Sequence, residues 1–231
     1  MLDPADLGPL LHPAPMPLET GWERIAGGAL HVAVRTDMHG CRGEMLEWWF
    51  RWRCDTQKYV WWHPIDHVSS RWQGILAEDT HVGSEHVIRE RFSGLPAQDL
   101  IVQFTEPTEF FDADQLAKAR ESGAVSGVVA GRTGDARPDP QRTEDGRVLG
   151  GRLMHVARDT PWGMALRSHF FVGIDLPGLG LSRAEVEREV PDELAPALLR
   201  HAYDEFTFLS RFLPSLYVAE HRDVASPPAP W

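Results

Sequence analysis

The pentapeptide HAYDE, residues 201–205, sets an imidazole and a carboxylate four positions apart. On a helix such a pair lies on one face, with about 5–6 Å between the two Cβ atoms. Leu194, Leu198, His201, Glu205, Phe208 and Phe212 recur at helical spacing, so the pair falls on an otherwise apolar stripe that should face a core. An ionised carboxylate buried without a partner is costly, so something on the opposite wall must compensate it. Three arrangements would do so: a self-satisfying Glu–His⁺ pair, an arginine such as Arg158 or Arg167 reaching across, or a divalent metal held by both residues. The metal needs two further ligands.

Two segments offer them. WWHPIDHV, residues 61–68, brackets a proline and Asp66 with His63 and His67, and Pro64 argues for a turn there at the mouth of a cavity. GSEHVIRERF, residues 83–92, adds Glu85 and Glu90, of which Glu90 follows the strand pattern. Two imidazoles and two carboxylates suit Zn²⁺ better than Mn²⁺ or Fe²⁺. No phosphate loop, GxGxxG fingerprint or nucleophile elbow competes, and Ser168 within RSHFF lacks the glycines a nucleophilic serine would want.

These residues require elements to position them. Residues 1–25 contain several prolines and read as an irregular arm. GGALHVAVRTDM alternates as a strand, and EMLEWWFRWR and QKYVWWH read as a hairpin of two aromatic strands. HVGSEHVIRERFSG and LIVQFTEP follow as strands turning at Gly94 and Pro96. DADQLAKARE suggests a short helix, whereas residues 123–148, dense in Gly, Pro and charge, read as a long loop insertion. GRLMHVARDT and GMALRSHFFVGID form a second hairpin around Pro161–Gly163. A short helix over 182–189 precedes the long one, which Asp192 should cap and Pro214 should end. The expectation is one α+β domain over residues 1–231: a curved antiparallel sheet of six to eight strands packed on a long C-terminal helix, with a ligand cavity between them.

Composition narrows the function. With 231 residues, 42% hydrophobic and 25% charged, the chain can bury a sizeable core. A net charge of −11 without a basic run argues against nucleic acid. No apolar run approaches membrane-spanning length, and the acidic N-terminus is unlike a signal peptide, so a cytoplasmic location and no membrane partner are expected. Cys41 and Cys54 lack knuckle spacing and read as reduced, partly buried thiols. Five of the nine tryptophans lie between Trp48 and Trp62, which marks one aromatic wall.

In order along the chain, EMLEWWFRW, YVWWHPIDH, VGSEHVIRERFSG, LMHVARDTPWGMALRSHFFVG and HAYDE resemble the 2,4-diacetylphloroglucinol hydrolase and phloretin hydrolase family. The likeness runs from about Glu44 to Phe212. It implies a helix-grip fold similar to Bet v 1 and START proteins, and a zinc enzyme that hydrolyses the carbon–carbon bond between an acyl group and a phloroglucinol-type ring. It implies His67, Glu90, His201 and Glu205 as the zinc ligands. It places Tyr59 and Ser70 against the ring hydroxyls and His155 near the substrate; Trp62 and His63 are expected as further substrate-binding residues, and His155, Tyr59 or a zinc-linked water as the proton donor. At the position of Ser70 the family more often has an amide residue, and the chain is expected to lack the larger N-terminal portion of the family's hydrolases. The expected partner is a small aromatic ketone, with a homodimer allowed. Two other readings stay open: a non-catalytic helix-grip protein binding a small aromatic or polyketide ligand, and a polyketide cyclase or dehydratase.

Overall fold

The computed structural model describes residues 2–224. Eight strands form one antiparallel sheet: β1 (Gly21–Arg24), β2 (Leu30–His39), β3 (His67–Gly74), β4 (Ser84–Glu90), β5 (Gln98–Phe104), β6 (Gly127–Asp135), β7 (Gly151–Thr160) and β8 (Gly163–Val172), in the order β1-β2-β8-β7-β6-β5-β4-β3. The helices are α1 (Gly43–Trp52), α2 (Thr56–Trp62), α3 (Ala113–Glu121), α4 (Arg183–Glu189), α5 (Leu194–Ser210) and α6 (Leu213–Glu220). The concave face closes on α5, which gives the helix-grip arrangement expected from the sequence.

Both faces of the central strands are buried, and the period of two separates them. Val129 of β6 joins the inner core with Trp49, Phe50 and Phe206. Its neighbours Val128 and Ala130 face outward beneath Leu7, Leu10 and Leu11 of the arm and Leu116 of α3. The arm is held there by two cations. Arg158 donates to the carbonyls of His12 and Pro13, and Arg167 donates to those of His12 and Ala14 and pairs with Glu19. Neither arginine therefore serves as the partner of Glu205.

Several sequence expectations are corrected. EMLEWWFRWR and QKYVWWH are α1 and α2, not a hairpin. Aromatic residues favour strands locally, but Met45, Trp48, Trp49 and Trp52 also recur at helical spacing, and packing against β6, β7 and α6 selects that period. The Asp55 carboxylate accepts from the Lys58 amide and caps α2. The 123–148 loop does not exist as such, because Gly127–Asp135 is the strand β6 between β5 and β7. Its glycines disguise it: a Cβ on Gly131 would stand 2.7 Å from the Gln103 carbonyl oxygen, so a small residue is what permits the pairing. Strand β3, which begins at His67, is an addition, and the last residues of the arm form β1. The long helix ends at Ser210, and Pro214 lies in the first turn of α6. Asp192 is exposed and paired with Arg24, leaving α5 without a side-chain cap. The stripe of α5 continues from Glu205 through Phe206 and Leu209, with Phe208 and Phe212 only half-buried. Cys41 and Cys54 are buried free thiols, and burial pushes both up to about 12. Among the described residues, no helix is long and apolar enough to cross a membrane.

Candidate metal centre and cavity

Four side chains from three elements meet inside the sheet. His67 opens β3 and lies directly opposite Glu90, the last residue of β4, while His201 and Glu205 approach from α5. His67 Nε2 is 3.5 Å from Glu90 Oε2 and 3.7 Å from Glu205 Oε2, and His201 Nε2 is 3.8 Å from Glu90 Oε2. All four residues are buried.

Hydrogen bonds behind the imidazoles fix which nitrogen faces the centre. His67 Nδ1 lies 2.8 Å from the Tyr59 carbonyl oxygen, which can only accept, so the hydrogen sits on Nδ1. Its Nε2 is buried, has no hydrogen-bond partner and points between two carboxylates. His201 Nδ1 lies 3.1 Å from Asp66 Oδ2, a carboxylate that also accepts from the Ser93 amide. A neutral His201 therefore also turns a lone pair of Nε2 inward. Acceptors of this kind behind metal-bound histidines fix tautomer and ring orientation.

Without a cation the arrangement is electrostatically poor. Burial raises the Glu205 carboxyl to about 8, with Glu90 and Asp66 adding to the effect and His201 opposing it. Burial likewise raises Glu90, against the pull of His201 and the Tyr59 hydroxyl, which donates to Glu90 Oε2. His67 is driven well below its ordinary value by burial and by the neighbouring His201. For His201, burial disfavours the charged form, but the Asp66 hydrogen bond and the Glu90 and Glu205 carboxylates outweigh it and raise the group. A divalent ion resolves these conflicts together. Tetrahedral ligands each about 2.1 Å from a common ion stand about 3.4 Å apart, close to the separations found here. His67, His201 and Glu205 are thus compact enough to hold a metal, with Glu90 3.5 Å from His67 Nε2 as a fourth group beside them.

A second cluster, His63, Asp66 and His201, is also compact. Its chemistry differs, because His63 Nδ1 accepts from the Asp66 amide at 3.1 Å, which puts the hydrogen on Nε2 facing Asp66 Oδ2 at 3.5 Å. Its ring stacks on His201 with centroids 4.8 Å apart. The cluster supports the first centre from behind, and His63 does not reach the cavity.

The centre opens on a cavity of about 580 Å³ lined by β4 to β8, α1, α2 and α5. Tyr59, Trp62 and His155 line it, as do Glu90, His201 and Glu205. His155 Nδ1 is tied to Ser168 Oγ at 2.8 Å, its ring is flanked by Phe50 and Phe206, and burial lowers it to about 3. Ser70 does not line the cavity: its hydroxyl donates to the Cys54 carbonyl and accepts from His86 Nε2. His86 takes the lining position, and alternation with Ile88 and Glu90 along β4 was the signal for it. The same alternation turns Glu85 to the other face, where Arg142, Gln73 and Gln103 hold it. Of the five clustered tryptophans only Trp62 faces the cavity. Trp48, Trp49 and Trp52 pack in the core beside it, and Trp61 is exposed.

The chain is similar to known proteins over most of its length. It is 26% identical over 242 residues to 2,4-diacetylphloroglucinol hydrolase of a Pseudomonas species, covering 92% of this chain and 75% of that protein. It is 27% identical over 216 residues to phloretin hydrolase of Eubacterium ramulus, covering 88% and 72% respectively. Similar backbones among solved structures include protein Ms6760 from Mycobacterium smegmatis, with a TM-score of 0.46 and 8% identity over 85% of this chain and 98% of that one. Ara h 8.0201 aligns with a TM-score of 0.44 and 12% identity over 81% and 99%. Residues 2–218 match the family described as DAPG hydrolase PhiG domain, and the chain belongs to that family.

Proposed function

We propose that this protein is a zinc-dependent hydrolase that cleaves the carbon–carbon bond between an acyl group and a phenolic ring, giving a carboxylic acid and the deacylated phenol. Family membership and the hydrolases among its relatives support the reaction class. The observation that carries the reading is the convergence of the His67 and His201 Nε2 atoms with the Glu90 and Glu205 carboxylates, of which His201, Glu90 and Glu205 line a largely apolar cavity and His67 lies behind them.

In this reading His67, Glu90, His201 and Glu205 hold the ion. When bound, the ion would supply a Lewis acid for the acyl carbonyl oxygen and would bring the pKa of its bound water toward neutrality. The chain's own side chains do the rest. Asp66 and the Tyr59 carbonyl keep both imidazoles in the required tautomer, and the Tyr59 hydroxyl fixes Glu90. Trp62 and Phe50, packed edge to face, give the ring an apolar corner and exclude bulk water. The ring carbon must gain a proton before the bond breaks, or the leaving group would depart as an aryl anion. His155, oriented by Ser168 and held neutral by burial, is placed to relay a phenolic proton to that carbon without resting as an imidazolium. Water then adds to the acyl carbon, the acid is released, and the ring recovers its aromaticity.

The test is incubation of the protein with acylated phloroglucinols, with metal content measured on the same sample. Wild type should hold close to one zinc per chain and release free acid, whereas His201→Ala and Glu205→Ala should do neither. Equal turnover by all three, or activity that survives complete removal of the ion, would refute the assignment.

A further inference from the structure

The cavity is much longer than the metal centre needs. Leu194, Leu198, His201 and Glu205 of α5 all line it, and the eleven steps from Leu194 to Glu205 span about 16 Å along the helix axis. Its two ends differ in chemistry. The inner end is a continuous aromatic and imidazole surface: Tyr59 meets His86 at 5.2 Å, Trp62 meets Phe50 at 5.5 Å, Phe50 meets Phe104 at 5.4 Å, and His155 lies over Phe50 at 5.9 Å. The outer end carries an apolar strip of Leu100, Leu176, Leu181, Val190, Leu194 and Leu198, bordered by Asp135, which pairs with Leu100 across β5 and β6, and by Glu189. Four of these leucines, 100, 176, 181 and 194, are only partly buried, so apolar surface is left for a ligand to cover. Asp135, Arg137, Asp139, Gln141 and Glu189 also line the cavity and are exposed, whereas Gln98, Thr133 and Arg152 line it half-buried.

We infer that the substrate is an acylphenol with an extended aliphatic acyl chain. The hydroxylated ring enters the inner end, where neutral His86 and His155 can hydrogen-bond its oxygens, and the chain runs outward along the first turns of α5. The reverse placement would strand hydroxyl groups among leucines and set an alkyl chain against two imidazoles. An acetyl group would leave the leucine-lined end uncovered. The inference rests on the hydrolase reading for the position of the acyl carbon, at the centre near His201 and Glu205, from which Leu198 and then Leu194 lie outward on the same helix face.

The experiment compares acetyl-, hexanoyl- and decanoylphloroglucinol in two measurements on the full chain. One is kcat/KM of the zinc-loaded protein. The other is equilibrium affinity of the chelator-treated protein, followed by quenching of tryptophan fluorescence. Each methylene sequestered among the leucines should strengthen binding about four-fold until the outer end is filled, with kcat/KM rising in parallel. Leu194→Trp and Leu198→Trp, two independent blocks of the same path, should collapse the decanoyl-to-acetyl ratio toward one. An affinity ladder without hydrolysis of any compound would support the outer site and refute the hydrolase reading instead. Equal affinities across the series, or a preference for acetyl, would overturn the inference.

Discussion

Asp66 touches the centre through His201: its Oδ2 accepts from Nδ1 at 3.1 Å and leaves Nε2 to face the carboxylates. Asp66→Asn keeps an oxygen for that contact and for the Ser93 amide but loses the charge. Metal affinity, measured by competition with a chromophoric chelator, should fall about 10- to 100-fold with the far-UV spectrum unchanged. Unchanged affinity would remove Asp66 from the support of the centre. At this scale the sequence was most informative where spacing is local. The period of α5 put His201 and Glu205 on one buried face, and strand alternation favoured Glu90 over Glu85. It was silent where a contact joins distant segments: nothing local says that His86 stands before Ser70, or that Ser168 ties down His155.

Among the elements, α1 and α2 were misread because tryptophan-rich segments have strong local strand preference. What holds α1 is a backbone approach that only glycine permits. A Cβ on Gly43 would lie 2.4 Å from the Ser126 carbonyl carbon, and one on Gly127 would lie 2.6 Å from the Gly43 carbonyl oxygen. Neither glycine has a positive φ, so the penalty for a side chain is steric. Gly43→Ala and Gly127→Ala should each destabilise by about 1–3 kcal/mol, read as a melting temperature lower by roughly 2–10 °C. No change for either variant would mean that α1 does not sit against β6 as described.

For the molecule as a whole, acid should be unusually destabilising. Burial lowers His81 to about 4 and His86, His155 and His169 to about 3, the first aided by Arg53 and the last by His31. In the unfolded chain all four titrate near pH 6.5, so between those values unfolding takes up protons. The stability tied to their neutral forms is complete above pH 6.5 and is lost as pH falls toward 4, at up to about 1.4 kcal/mol per pH unit for each histidine. Urea midpoints should therefore fall steeply between pH 6.5 and 5, and His169→Gln should flatten the slope. A midpoint constant over that range would contradict neutral burial. Under the zinc reading, chelation should also lower the melting temperature at pH 7, since a ligand of the folded state alone adds stability by mass action. The sequence by itself determined the amphipathic period of α5, the alternation of the outer strands and the absence of a basic surface, because each depends on neighbours within a few residues. Only the tertiary structure decided that α1 and α2 are helices, that β6 is a central strand, and which histidine nitrogens face the centre. Those outcomes depend on long-range packing and hydrogen bonds, whose energies exceed local preference and leave no mark in any short stretch of chain.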